Sequence, residues 1–367
     1  MMHNPARHRQ IVGFLLVAIA LAALPWAAGL LGNSWVRILN VALLYVMLAL
    51  GLNIVVGFAG LLDLGYIAFY AVGAYVYGLL ASPHLTDNFE VIAAIFPDGL
   101  HVSIWLLIPL SALIAAVFGV MLGAPTLRLR GDYLAIVTLG FGEIIRLFLN
   151  NLNAPLNITN GPQGINMIEP VNIAGVRFSR TIELFGFEVP ALHLYYYLFL
   201  ALTLVIIVVC MRLQHSRIGR AWTAIRDDEI AAKAMGINTR NMKLLAFALG
   251  ASFGGVAGAM FSAFQGFVSP ESFGLMESII VLCMVVLGGM GHIPGVILGA
   301  LLLAGFPEML RQVVTPIQEF MFGAVLVDAE IIRSLIYGFT MVLVMLYRPK
   351  GLWPQRKGRP DAAQGAA

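Results

Sequence analysis

The sequence predicts an all-α protein, a polytopic transmembrane helical bundle of about ten spans. Three observations carry this reading. Of the 367 residues, 60% are hydrophobic and only 11% are charged, against about 45–50% and about 25% in a soluble domain. That leaves too little polar side chain to cover a water-facing surface, so lipid must cover much of it. Apolar runs of the length that crosses a hydrocarbon core recur along the chain. The basic residues fall between those runs, where they set orientation.

Runs begin near Ile11, Val36, Leu61, Val102, Tyr133, Ala191 and Leu244. The first follows Arg7 and Arg9 and extends to about Gly32, too long for a signal-peptide core, so it reads as an uncleaved span. The region Leu275–Leu310 is apolar but interrupted by Gly288, Gly289, Gly291 and Pro294, which predicts two short spans meeting at a break. The last run goes from Ile331 to Tyr347. Residues 1–353 are expected to form a single transmembrane domain, followed by a disordered polar tail at 354–367. No sequence repeat is visible, although an inverted structural repeat is compatible with such a chain.

Orientation follows from the loops. With the N-terminus cytoplasmic and ten spans, sixteen of the 22 Lys and Arg residues fall inside. Arg37, Arg146, Arg177, Arg180, Arg311 and Arg333 remain outside or at outer span ends. The loop Ser82–His101 lacks Lys and Arg but carries Asp87, Glu90 and Asp98, as an external loop should. The long connection Asn150–Pro190 is also placed outside, while Arg212–Lys243 and both termini are placed in the cytoplasm.

The net charge of +3 does not form the interleaved basic and aromatic patch of a nucleic-acid binder, so no nucleic-acid partner is expected. Cys210 and Cys283 both lie in apolar runs and read as buried thiols. No Gly-Lys pair occurs, which excludes a P-loop, and no His-Glu-x-x-His or Cys-x-x-Cys occurs. No catalytic residue and no metal site is therefore assigned, and the chain does not read as an ATPase or a hydrolase.

A stand-alone secondary transporter keeps carboxylates at mid-membrane. Here Asp63, Asp132, Glu277 and Glu308 lie near predicted span ends. Glu143 lies deeper, with Arg146 one turn on and on the same face. The two are candidates for a polar element lining a pathway, the alternative being a self-neutralised pair near the outer surface. Gly250, Gly254 and Gly258, and again Gly291, Gly295 and Gly299, recur at four-residue spacing. Small residues so placed let helices approach backbone to backbone.

The stretch Ser216–Ile237 reads as one amphipathic helix between two spans. Ile218, Trp222 and Ile225 share a face, Asp227, Asp228 and Glu229 lie in its middle, and Gly236 stands where it stops. Anionic lipid headgroups would repel that acidic triplet, so a protein partner suits this helix better than the membrane surface.

Its pattern, IGRA, AIRD, EIAA and AMGI in succession, resembles the permeases of branched-chain amino-acid ABC importers, specifically the larger, LivM-type subunit. The stretches GLNIVVGFAGLLDLGYIAFYAVGAY from Gly51, TLRLRGDYLAIVTLGFGEIIR from Thr126 and VLGGMGHIPGVILGA from Val286 are similar to the same family. The resemblance implies an ABC-importer permease fold in the bacterial inner membrane. It implies as partners a second homologous permease, two ATP-binding cassette subunits, a periplasmic substrate-binding protein and membrane lipid. ATP and Mg would be held by the ATPases, leaving no cofactor on this chain. The coupling residues implied are Gly219, Arg226, Glu229, Ala232 and Gly236, with Arg217 and Trp222 completing the candidate set. The substrates implied are leucine, isoleucine and valine, with urea, short amides or other amino acids as the alternative served by related permeases.

Overall fold

Each apolar run folds as a helix. The computed structural model describes residues 5–97, 100–127, 129, 131–173, 175–184, 187–322, 329–347 and 351–353, and the polar tail lies outside them. Helices α1 (Pro5–Leu31) and α2 (Asn33–Asn53) meet at Gly32, whose φ of 121° suits the sharp reversal. Helix α2 continues into a π turn, Ile54–Phe58. A buried turn over 59–66 leads to α3 (Ile67–Leu80). Two short helices follow, α4 (His84–Asn88) and α5 (Glu90–Ile95), then α6 (Ile104–Thr126) and α7 (Asp132–Asn151). Beyond α8 (Ala191–Gln214) come α9 (Arg217–Asp227), α10 (Glu229–Ala234) and α11 (Thr239–Gln265). The last three are α12 (Leu275–Gly288), α13 (Ile293–Phe322) and α14 (Ala329–Tyr347).

Among the described residues, four helices are long and apolar enough to cross a membrane: Asn33–Phe58, Ile104–Thr126, Ala191–Gln214 and Thr239–Gln265. Leu16–Leu30, Ile67–Leu80, Leu275–Gly288 and Ile293–Phe306 form shorter apolar helices. At 14 residues each, α3 and α12 are about 21 Å long, less than the roughly 30 Å of a hydrocarbon core.

The helix order repeats in opposite directions. A long helix, a turn, a 14-residue helix and two further helices occur as α2, α3, α6, α7 and again as α11, α12, α13, α14. The end of α2 and the start of α11 lie together beside α9, while Arg37 near the start of α2 bonds Gln265 at the end of α11. The two units interlock: α11 packs on α3 and α6, and α2 packs on α12 and α13. Glycines permit these crossings. A Cβ on Gly258 would run into the backbone of Tyr70 and Ala74 on α3, and one on Gly255 into Ala115 and Ser111 on α6. Gly250 faces Val55 and the Gly51 carbonyl on α2, and Gly254 faces Phe69 and Tyr66. Gly295 and Gly299 pack α13 against the Gly288 and Met284 backbone of α12. The buried core runs along α2, α3, α11 and α12, and Cys210 and Cys283 are free and buried within it.

Three local features add to the sequence-based reading. The run from Leu61 does not start a helix there. Gly60 (φ +69°) and the Asp63 side chain, which accepts the Gly65 N–H at 2.9 Å, shape a turn first, and α3 begins at Ile67. The connection 150–190 is partly regular. It holds two small antiparallel hairpins, β1 (Asn172–Ile173) with β2 (Val176–Arg177), and β3 (Ile182–Leu184) with β4 (Phe187–Val189). Helix α11 starts at Thr239 rather than Leu244, because the Asn238 side chain caps it by accepting the Asn241 N–H at 3.1 Å.

Candidate functional site

The stretch Ser216–Ile237 is an elbow rather than one helix. Asp228 has extended backbone (φ −156°, ψ 110°), and its carboxylate accepts the N–H groups of Ile230 and Ala231 at 2.8 and 3.1 Å. Aspartate gains more as an N-cap than as an interior helix residue, so the acidic triplet breaks the helix it was expected to occupy. Gly236 (φ +84°) closes α10, with the Ile237 N–H bonded to the Ala232 carbonyl and open space where a Cβ would stand.

Three anchors fix the elbow to the bundle. At its start, Ser216 Oγ donates to the Leu213 carbonyl at 2.7 Å and accepts the Gly219 N–H at 3.2 Å. Gly219 lies so close to the Leu213 and Gln214 carbonyls that no side chain fits there. On its inner face, Trp222 is fully buried and its Nε1 donates to the Met242 carbonyl of α11 at 2.7 Å, with Ile225 buried beside it. The same attachment to α11 is completed by an ion pair of Glu229 with Lys243 at 2.7 Å, the Lys243 side chain only 5% exposed. Ala232 is buried. The Glu229 carboxylate thus meets α11 of the same chain, a contact the sequence pattern did not show.

The third anchor is Arg226. Its Nη1 donates to the Gly57 carbonyl in the π turn of α2, and its Cγ lies against Gly60, where a Cβ could not fit. On the other side of the same turn, Asn53 Oδ1 accepts the Gly291 N–H at 2.8 Å. Gly291 (φ +83°) lies in the break between α12 and α13, within reach of Arg226. Leu352 and Trp353 bond the Leu287 and Gly288 carbonyls, and Gly351 rests on Gly289, so the segment 351–353 closes over that break. The sequence pattern marks Arg226 and Gly291, but it missed Asn53, Gly57, Gly60 and the capping role of Asp228. The Gly57/Gly60 pair beside an Asp-containing turn was a legible sign of irregular backbone.

Arg217 is exposed at the start of α9, as are Ile230 on α10 and Met235 just after it, at 69% and 83%. Glu143 and Arg146 are remote from the elbow. They form an ion pair on α7 at 2.9 Å, each about one third exposed. The stretch Gly250–Gly254 has the Gly-x-Ser-x-Gly spacing of a hydrolase elbow. It lies inside α11, and Ser252 Oγ donates to the Leu249 carbonyl at 2.7 Å, so the strand-to-helix turn that exposes such a nucleophile is missing here.

Comparison with known proteins converges on one family. The branched-chain amino acid transport system permease component matches residues 34–345. The chain is 41% identical to the high-affinity branched-chain amino acid transport system permease protein LivM of Escherichia coli (strain K12), covering 96% of this chain and 77% of that protein. It is 25% identical to the LivH permease protein of Salmonella typhimurium, covering 86% and 92%. It is 26% identical to the probable LivM of Methanocaldococcus jannaschii, covering 85% and 91%. No solved structure matches. The chain, with its helical bundle and its glycine-shaped elbow, belongs to the branched-chain amino acid transport system permease family.

Proposed function

We propose that this chain is the membrane-spanning permease subunit of a binding-protein-dependent, ATP-driven importer that carries leucine, isoleucine and valine into the cytoplasm. Family membership over residues 34–345 is the observation that carries it. The chain works with a second, homologous permease, two ATP-binding cassette subunits that hold ATP and Mg, and a periplasmic substrate-binding protein. It crosses the inner membrane about ten times, the short helices α3 and α12 each completing a crossing together with the turn beside it. Both termini and the elbow face the cytoplasm.

In this reading the elbow docks in a groove of the ATPase. Exposed Ile230 and Met235 suit such a groove, because apolar side chains on a polar end surface call for a partner. Closure of the ATPases pushes the elbow, and Gly219, Trp222, Arg226 and the Glu229–Lys243 pair carry that push into α8, α11 and α2. The glycine crossings of α11 and α13 act as packing surfaces, and Glu143 and Arg146 line the pathway.

Reconstitution of the chain with its partner subunits in proteoliposomes tests the proposal. ATP-dependent leucine uptake is expected from the whole assembly, and no ATP turnover from the purified chain alone. Hydrolysis by the single chain would overturn the subunit reading.

A further inference from the structure

The side of α7 that carries Glu143 holds a polar stripe. Glu143, Arg146 and Asn150 lie at i, i+3 and i+7, one above another on the helix. Each is half-buried. The Asn150 side-chain oxygen is shielded and accepts no hydrogen bond. The stripe runs outward into an amide-rich turn, where Asn157 bonds Asn88 and Asn160. Inward, Glu143 and Arg146 stand about 17 and 21 Å along the axis from Asp132. Leu134, Ala135, Thr138 and Gly142 are buried on another side of α7, packed toward α3 and the turn before it.

A charged pair at that depth is costly against lipid tails and persists where it faces protein or a water-filled path. Its neighbours Ile144 and Leu147 are exposed and aliphatic. Polar charge beside bare aliphatic surface is the complement of a branched-chain α-amino acid. Such a substrate carries an ammonium, a carboxylate and a hydrocarbon side chain.

From this we infer that Glu143 and Arg146 hold the zwitterionic head group of the substrate, Glu143 accepting from the ammonium and Arg146 donating to the carboxylate. This rests on the amino-acid permease reading above. At rest the two side chains neutralise each other, and with substrate between them each charge gains an opposite one. No uncompensated charge is left in the low-dielectric interior at any stage. Arginine suits the role because its planar guanidinium takes a carboxylate through two parallel bonds. Ile144 and Leu147 lie where the substrate side chain can rest.

The test uses the complete reconstituted importer. Glu143→Gln and Arg146→Gln should each lower leucine uptake about tenfold or more, the loss expected from one charged hydrogen-bond partner. Loaded binding protein should still stimulate ATP hydrolysis, because the elbow is untouched. The double variant Glu143→Gln/Arg146→Gln separates this role from a structural ion pair. It removes both charges, so a merely structural pair would recover transport, whereas a head-group site stays impaired. Uptake by the double variant within about twofold of wild type would overturn the inference.

Gly140→Cys supplies a second arm, since nothing lies within 4 Å of an added Cβ there and both native thiols are buried. A charged thiol reagent should label it in the assembled importer and block uptake, and no labelling would count against an aqueous path along α7. Failure of the wild-type importer to take up leucine would instead overturn the amino-acid reading itself.

Discussion

Arg226 donates a hydrogen bond to the carbonyl of Gly57, 169 residues earlier in the chain. The last carbonyls of a helix have no partner within it, and a cation there also meets the negative end of the helix dipole. Arg226 therefore caps α2 from outside, at its π turn. One turn back, Asn53 holds Gly291 in the break between α12 and α13. A displacement of the elbow thus reaches the first helix of one inverted unit and the broken second helix of the other.

The Glu229–Lys243 pair fixes the elbow to α11. Removing the Glu229 charge leaves Lys243 buried without its main counter-charge. Glu229→Gln should therefore lower stability by about 1–3 kcal/mol, between the values for exposed and fully buried pairs. Glu229→Arg should cost more, since it sets a like charge against Lys243. Glu229→Gln/Lys243→Met should regain most of the loss. Thermal unfolding of the purified chain in detergent measures this, and unchanged midpoints for both single variants would contradict the pairing.

Gly258 sits at a close crossing of α11 and α3. An added methyl meets the Tyr70 carbonyl and the Ala74 nitrogen, both backbone atoms that cannot turn aside. Gly258→Ala should destabilise by about 3 kcal/mol or more. Gly305→Ala on α13 meets nothing within 4 Å and should be neutral or stabilising by up to about 1 kcal/mol, as expected for a helix interior. Yields of folded protein by size-exclusion chromatography would separate the two, and equal yields would count against the close crossing.

The positive residues predict a topology that labelling can read. Cysteines introduced at Thr86 and Asn172 should react with an impermeant thiol reagent added outside intact cells, and one at Arg217 should not. External reaction at Arg217 would invert the assigned orientation.

The apolar runs and the buried Ile225 and Trp222 face were legible because each depends on residues close in sequence. The break at Asp228 was less so, since its neighbours Asp227 and Glu229 read equally well as a charged helix surface, and only cap geometry decides. The turn at 59–66 was masked for a related reason, despite the sign given by Gly57 and Gly60. Leu61, Leu62 and Leu64 keep the run apolar while Gly60 and Asp63 bend the backbone. The Asn53–Gly291 bond joins residues 238 positions apart and leaves no local trace. The pairing of Glu143 with Arg146 needed only helical spacing.

Arg226→Ala tests the account most directly. The side chain lies at the surface of the elbow, so the variant should insert and fold, and its loss removes the bond to Gly57 alone among the three anchors. In the reconstituted importer, leucine uptake should fall about tenfold or more while the ATPases remain bound and lose their response to loaded binding protein. Wild-type uptake together with wild-type stimulation would contradict transmission through Arg226 and Gly57.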